Sequence, residues 1–158
     1  MKKTIISLLA FAALVITGCA KYADSGINDA NKRYFDAWMQ VNHPLAEPYG
    51  LGIYILEDNP GTGTETVKKD GFVMLDYVIS DLEGNIASYT DEETARQLGT
   101  YTQGNYYGPK VQTIAEGVMY AGLLNALEGM QVGGHRKVII PTWLMSYATY
   151  DTEEEYLN

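Results

Sequence analysis

The most regular hydrophobic pattern of this chain lies in residues 117–141. Apolar side chains recur there at helical spacing, at Met119, Leu123, Ala126, Leu127 and Met130. Glycines follow this stretch, and a β-branched run over residues 138–140 ends at Pro141. The pattern predicts a short helix that leads through a glycine turn into a strand.

A second helical pattern precedes the first strand, in residues 27–44. Its apolar positions, at Ile27, Tyr34, Trp38 and Val41, fall on one face, and Asn28 or Asp29 can cap its start. Pro44 ends the helix because the residue before a proline is pushed out of the helical region. Two interpretations remain open: a docking or dimerising helix, or a helix that lies against its own domain.

Between the two helices the pattern changes to strands and turns. Residues 50–57 and 72–79 read as two strands, and residues 81–85 read as a hairpin turn. Thr90 is placed to cap a short helix over residues 91–97, with Glu93 as its capping-box partner. Residues 99–108 are rich in tyrosine and glycine and read as a loop or an irregular edge strand. The elements together predict an α+β fold.

Composition narrows the candidate chemistry. The chain has 158 residues and a formal net charge of -9, which argues against nucleic acid as a partner. His43 and His135 are isolated and have no partner at metal-ligand spacing. Neither a phosphate-binding glycine loop nor a nucleophile elbow is present in the sequence. We expect no metal and no cofactor.

The N-terminus has the features of a targeting segment. Two lysines precede the apolar residues 5–16, which end at Ile16-Thr17-Gly18-Cys19. This ending resembles a bacterial lipobox, so residues 1–18 are expected to be a lipoprotein signal peptide, with Cys19 lipidated and residues 19–26 as a tether. The other interpretation is an ordinary signal peptide. A lipid anchor implies a domain held at a membrane in the cell envelope, and Ala20 after the cysteine favours the outer membrane, on its periplasmic or surface face, over the inner one.

Residues 117–141 also carry an ordered set of motif positions. They run Met119-Tyr120-Ala121-Gly122-Leu123, then Ala126-Leu127-Glu128-Gly129-Met130, then Val132-Gly133, Arg136-Lys137 and Ile140-Pro141. This order resembles the FK506-binding-protein (FKBP) type of peptidyl-prolyl isomerase. The likeness extends to the first strand, to Tyr77 on the second strand and to the hairpin turn.

The resemblance implies an FKBP-like antiparallel half-barrel that wraps around one short helix, over residues 49–158. The family closes its sheet with a long apolar strand, for which no run is found before Asn158. In the family this strand lies between the strands that correspond here to residues 72–79 and 136–140. Three explanations stay open: the reading frame is truncated, these two flanking strands pair directly, or another segment or chain takes the place of the missing strand.

The resemblance also implies a proline-binding pocket. Tyr77, Tyr120 and Tyr147 would be its catalytic residues, with the Tyr120 backbone N–H facing a substrate carbonyl. Strict counting puts Ser146 in place of Tyr147. Substrate-binding positions would be Ala87, Ser88, Met119, Leu123 and Trp143. Ala87 and Ser88 stand where the family has a phenylalanine and an aspartate.

Prolyl isomerisation suits a chain without a nucleophile or a metal. The barrier of about 20 kcal/mol comes from amide resonance, and an apolar site with a few directed hydrogen bonds favours the twisted amide. The lack of a catalytic cysteine or histidine is compatible with this activity but is not evidence for it. The resemblance implies a peptidyl-prolyl cis-trans isomerase that acts on proline-containing polypeptides in the envelope. The alternative, favoured by Ala87 and Ser88, is a binding module that keeps the scaffold and has lost the chemistry.

Overall fold

The computed structural model describes residues 27–146. The predicted signal peptide, the tether, Cys19 and Tyr147 lie outside the described residues. The helices are α1 (Ile27–Asn42), α2 (Glu92–Gln97) and α3 (Ala121–Leu127), followed by a 3-10 helix at Thr142–Leu144. The strands are β1 (Pro48–Tyr49), β2 (Ile53–Asn59), β3 (Gly71–Leu75), β4 (Val78–Ser80), β5 (Ile86–Tyr89), β6 (Lys110–Ile114) and β7 (His135–Ile139).

These strands form small antiparallel sheets. One sheet has the order β1-β2-β7, β3 pairs with β6, and β4 pairs with β5 across the predicted hairpin turn. The mixture of short helices and antiparallel sheets confirms the predicted α+β class. Within residues 27–146, β3 and β7 are paired to β6 and β2 and not to each other. The explanation in which the two flanking strands pair directly is therefore wrong for the described part of the chain.

Helix α1 packs on its own domain through a face that the sequence pattern did not select. Phe35 and Met39 are buried, whereas Tyr34 is 56% exposed and Val41 is 79% exposed. The Phe35 ring meets the rings of Trp143 and Tyr54 at centroid distances of 5.5 and 5.8 Å. The predicted stripe was wrong at Tyr34 and Val41, whereas Trp38 packs against the core. The buried arc of α1 lies beside that stripe and contains Phe35 and Met39.

Buried apolar residues of the described range 27–146 form two clusters. The first cluster contains Phe35, Met39, Ile53, Ala126, Trp143 and Leu144. The second cluster contains Ile114, Met119, Leu127 and Met130, with Val73, Leu75 and Leu123 packed against it. Helix α3 lies between them and contributes Ala126 to one and Leu127 to the other. The positions read as one helical face are buried, apart from half-buried Leu123, but Met119 and Met130 lie outside α3.

Two contacts hold α3 in place. One joins it to the β1-β2-β7 sheet, and the other joins it to the segment after β7. The side chain of Arg136 on β7 is 8% exposed and pairs with both carboxylate oxygens of Asp58 at 3.0 and 3.1 Å. The same guanidinium donates to the backbone oxygens of Ala126 and Glu128, at the end of α3, at 2.8 and 3.0 Å. Gly122 lies so close to Ile140 and Leu144 that an added Cβ would come within 2.3 Å of the Ile140 side chain.

Membrane-spanning helices and metal-binding clusters were sought among residues 27–146. In residues 27–146, no helix combines the length and the apolar character needed to cross a membrane. In the same residues, no three side chains of His, Cys, Asp or Glu are grouped so that they could hold a metal ion.

Candidate functional site

The predicted second strand bends at Tyr77, and Thr90 holds the bend. Residues 72–79 form β3 and β4 with a break at Asp76-Tyr77, where the sequence predicted one continuous strand. The Tyr77 N–H donates to Thr90 Oγ1 at 2.8 Å, and the Thr90 N–H donates to the Tyr77 carbonyl at 3.0 Å. The Thr90 hydroxyl also donates to Asp76 Oδ1. These bonds satisfy the backbone of Tyr77 outside a strand ladder, so the bend is stable.

Thr90 is therefore a positioning residue and not a helix cap. The N-cap of α2 is Asp91, whose Oδ1 accepts from the Thr94 N–H at 2.8 Å. The prediction that Thr90 caps α2 was wrong because its hydroxyl is used at Tyr77 and Asp76. Thr90 is 2% exposed, and sequence reasoning missed its role because Thr90 and Asp91 are both residue types that cap helices.

The start of α3 meets β3 in the second cluster. Met119 is 7% exposed within this cluster, and the cluster is also contacted by Leu123 of α3 and by Val73 and Leu75 of β3. Leu75 is two residues before Tyr77 in the chain. The structure thus brings two of the predicted substrate-binding residues together with the strand that leads into the bend.

The remaining predicted site residues are spread over other elements. Tyr120 is half-buried at the N-cap position of α3, and its carbonyl accepts from the Leu124 N–H at 3.0 Å. Ala87 is exposed on β5, and Ser88 pairs with Ile79 in the hairpin. Trp143 is 6% exposed and belongs to the first cluster, edge-on to Phe35. The shared pocket of these residues stays a prediction.

A shallow cavity of about 290 Å³ lies elsewhere, between α1 and the β4–β5 turn. It is lined by Asn31, Tyr34, Phe35, Asp81, Leu82, Glu83, Ile140 and Thr142. The Tyr34 hydroxyl donates to Glu83 Oε1 at 2.6 Å across its mouth. None of the predicted site residues within 27–146 lines this cavity.

Hydrogen bonds shift the pKa values of Asp81, Asp91 and Tyr34, which lie at a turn, at a helix cap and on α1. Hydrogen bonds from the side chain and the N–H of Asn85 hold the pKa of Asp81 below its ordinary value. The Thr94 N–H does the same for the pKa of Asp91. The hydrogen bond to Glu83 raises the pKa of the Tyr34 hydroxyl. Asp81 and Asp91 are therefore ionised at neutral pH and act as acceptors within turns, as structural carboxylates do.

An ordered aromatic segment adjoins the bend at Tyr77. We call residues 99–108 the tyrosine loop; it is irregular, in agreement with the loop interpretation. The Tyr101 and Tyr107 rings stack with centroids 5.4 Å apart, and the Arg96 guanidinium carbon lies 3.7 Å from the centroid of the Tyr101 ring. The Gly108 N–H donates to the Thr90 carbonyl at 2.8 Å. The residue that holds Tyr77 thus also holds the end of the loop.

Comparison with known proteins gives one distant likeness. The chain is 29% identical over 75 residues to the short-type peptidyl-prolyl cis-trans isomerase of Methanocaldococcus jannaschii. The match covers 48% of this chain and 47% of that protein, so the chain spans about half the length of the curated relative that it matches. No family model and no solved structure matches the chain.

Proposed function

We propose that this protein is a peptidyl-prolyl cis-trans isomerase with an FKBP-like half-barrel. The observation that carries the proposal is the joint placement of Met119 and Leu123 beside β3, directly before the bend at Tyr77. The ordered motif of residues 117–141 and the distant likeness to a short-type isomerase support it. The same likeness supports proline-containing polypeptides as the substrates.

The proposed mechanism needs no proton transfer. A substrate proline would lie against Met119, Leu123 and Tyr77, where loss of amide resonance is favoured because water is excluded. The Tyr120 N–H would bind the carbonyl of the residue before proline, and Tyr147 would close the site. X-Pro bonds are suitable substrates because both isomers are populated in unfolded chains.

The test is the cis-to-trans rate of an Ala-Leu-Pro-Phe peptide in a protease-coupled assay with the full chain. We expect a rate above the spontaneous one. Leu123→Ala should lower kcat/KM by about tenfold or more, since one apolar group in a pocket discriminates by that amount. The matched control is Leu98→Ala, which removes a leucine that is 45% exposed at the end of α2 and should leave kcat/KM unchanged.

The second candidate function is a non-catalytic peptide-binding module. Ala87, which is exposed, and Ser88, which is engaged in the hairpin, favour it because they replace the phenylalanine and aspartate of the family. A rate equal to the spontaneous rate, together with saturable binding of the same peptide, would decide for this candidate.

We also propose that the protein is anchored in the cell envelope by lipid on Cys19. The lipobox-like residues 16–19 support the proposal. Labelling with radioactive palmitate in a bacterial host should mark the wild-type chain and leave Cys19→Ala unmarked. Equal labelling of both chains would contradict the anchor.

A further inference from the structure

Aromatic side chains of the tyrosine loop stack on one another and on Arg96. Tyr101 lies between the Arg96 guanidinium and the Tyr107 ring, and the Arg96 side chain is in turn paired with Glu92 at 2.6 Å. The Thr100 N–H donates to the Ala95 carbonyl at 2.9 Å at the other end of the loop. An aromatic surface that is already ordered loses little conformational entropy when it binds a partner.

Two of the three tyrosine hydroxyls of this loop are engaged in bonds within the protein. The Tyr106 hydroxyl donates to the Pro109 carbonyl at 3.1 Å, and the Tyr107 hydroxyl accepts from the Thr102 N–H at 2.9 Å. Tyr106 is nevertheless 66% exposed. The loop therefore offers the face of an aromatic ring, with its hydroxyl turned to the backbone, to a molecule outside.

The charge on the loop argues against an anionic partner. Residues 99–108 contain no charged side chain, and Arg96, which stacks on Tyr101, is paired with Glu92. A flat aromatic face on an uncharged loop is suited to apolar and weakly polar groups. Pyrrolidine rings belong to this class, and proline-rich segments dock on aromatic surfaces at low entropic cost because their extended helix is already formed.

The position of the loop gives it a role beside the bend at Tyr77. Thr90 bonds to Tyr77 through its N–H and hydroxyl oxygen and to Gly108 through its carbonyl, so the loop and the bend share one anchor. Tyr106 is two residues before Gly108, so a polypeptide whose proline lay near Tyr77 would extend past this end of the loop.

We propose that the tyrosine loop binds a second proline of an extended substrate, so that polypeptides with two prolines a few residues apart are preferred over those with one. This inference rests on the proposed function for its first proline. The ring of Tyr106 is the specificity-determining group.

The experiment compares two peptides of equal length, one with a second proline four residues from the first and one with alanine at that position. Dissociation constants are measured by NMR titration of the full chain, and isomerisation by exchange spectroscopy. We expect the two-proline peptide to bind about three- to tenfold more tightly, the range of one good aromatic contact. Tyr106→Ala should abolish this ratio, and Tyr106→Phe should preserve it because the ring remains.

Tyr49→Ala is the control, since Tyr49 is 44% exposed on β1 and outside the tyrosine loop. The amide spectrum of each variant shows whether the loop remains folded. If Tyr106→Ala unfolds the loop, the test uses two other measurements: the ratio of the two peptides' dissociation constants in Tyr106→Phe, and line broadening at residues 99–108 of the wild type when peptide is added. Equal affinity of the two peptides, or an equal loss in Tyr106→Phe and Tyr106→Ala, overturns the loop proposal. Binding with the predicted ratio but without isomerisation would instead overturn the proposed enzyme and leave the loop proposal standing.

Discussion

The two core clusters differ in their side chains and in how much of the neighbouring sheet surface is left exposed to solvent. The first cluster places the rings of Phe35 and Trp143 between α1 and the β1-β2-β7 sheet. The second cluster consists of aliphatic and thioether side chains under one face of β3 and β6. The other face of that pair leaves Phe72, Met74 and Val111 exposed by 78%, 63% and 63%. We infer that the first cluster carries more of the stability, and that the second provides an adaptable, methionine-lined floor beside the bend at Tyr77.

The largest effect should come from the first cluster. Phe35→Ala removes a buried ring that contacts both Trp143 and Tyr54, and we expect the free energy of unfolding to fall by about 3–5 kcal/mol. Urea unfolding followed by tryptophan fluorescence measures the change. A loss of less than about 1 kcal/mol would show that α1 is not part of the stable core.

A smaller loss is expected where α3 crosses the 3-10 helix. An added Cβ at Gly122 would meet the Leu144 backbone oxygen at 3.1 Å as well as the Ile140 side chain. Overpacking costs about 1–3 kcal/mol, against a helix-propensity gain of at most about 1 kcal/mol, so Gly122→Ala should be destabilising.

Gly71→Ala is the matched control for this prediction. Gly71 has an ordinary φ, and an added Cβ there meets only the Lys68 carbonyl oxygen at 3.3 Å. Thermal melts of the two variants give the comparison. A Tm for Gly122→Ala at or above the wild-type value would contradict the close packing of α3.

Acid should act through the turns and not through either cluster. The pKa values of Asp81 and Asp91 are lower in the folded chain than the ordinary 3.8. Their contribution to stability is therefore complete above that value and is lost as the pH falls through the lowered pKa. We expect the free energy of unfolding to decrease between about pH 5 and pH 2.

The double variant Asp81→Asn with Asp91→Asn tests this assignment, because asparagine keeps the capping oxygen without titrating. Its stability should depend less on pH over the same interval. Equal slopes in the two chains would show that other carboxylates are responsible.

The smallest effect is expected on the exposed face of β3. Phe72 pairs with Thr113 and points away from the second cluster, so Phe72→Ser should change the free energy of unfolding by no more than about 0.5 kcal/mol. Val73→Ala, one residue along and on the opposite face, should cost more. Similar losses at both positions would remove the contrast between the two faces.

The sequence was informative where one periodicity dominates. Helix α3, the hairpin turn and the glycine turn before β7 follow from local pattern, and the structure has them close to the predicted positions. The face of α1 did not follow, because Tyr34 and Phe35 are neighbours on two competing apolar arcs and only the partner, Trp143, chooses between them. The bend at Tyr77 was also missed, because its cause is a bond from Thr90, thirteen residues away. For the site, Met119 and Leu123 were predicted from the family resemblance, and their pocket stays a prediction. The tyrosine loop required knowledge of its stacking.

Arg136 has a consequence for how the molecule opens. One guanidinium bonds to Asp58 on β2 and to two carbonyls at the end of α3, so fraying of that helix end would leave a nearly buried cation without two of its acceptors. We therefore expect the last turn of α3 and the β2–β7 ladder to open together, as one unit of hydrogen exchange. Separate opening of the helix end would thereby be disfavoured at this corner.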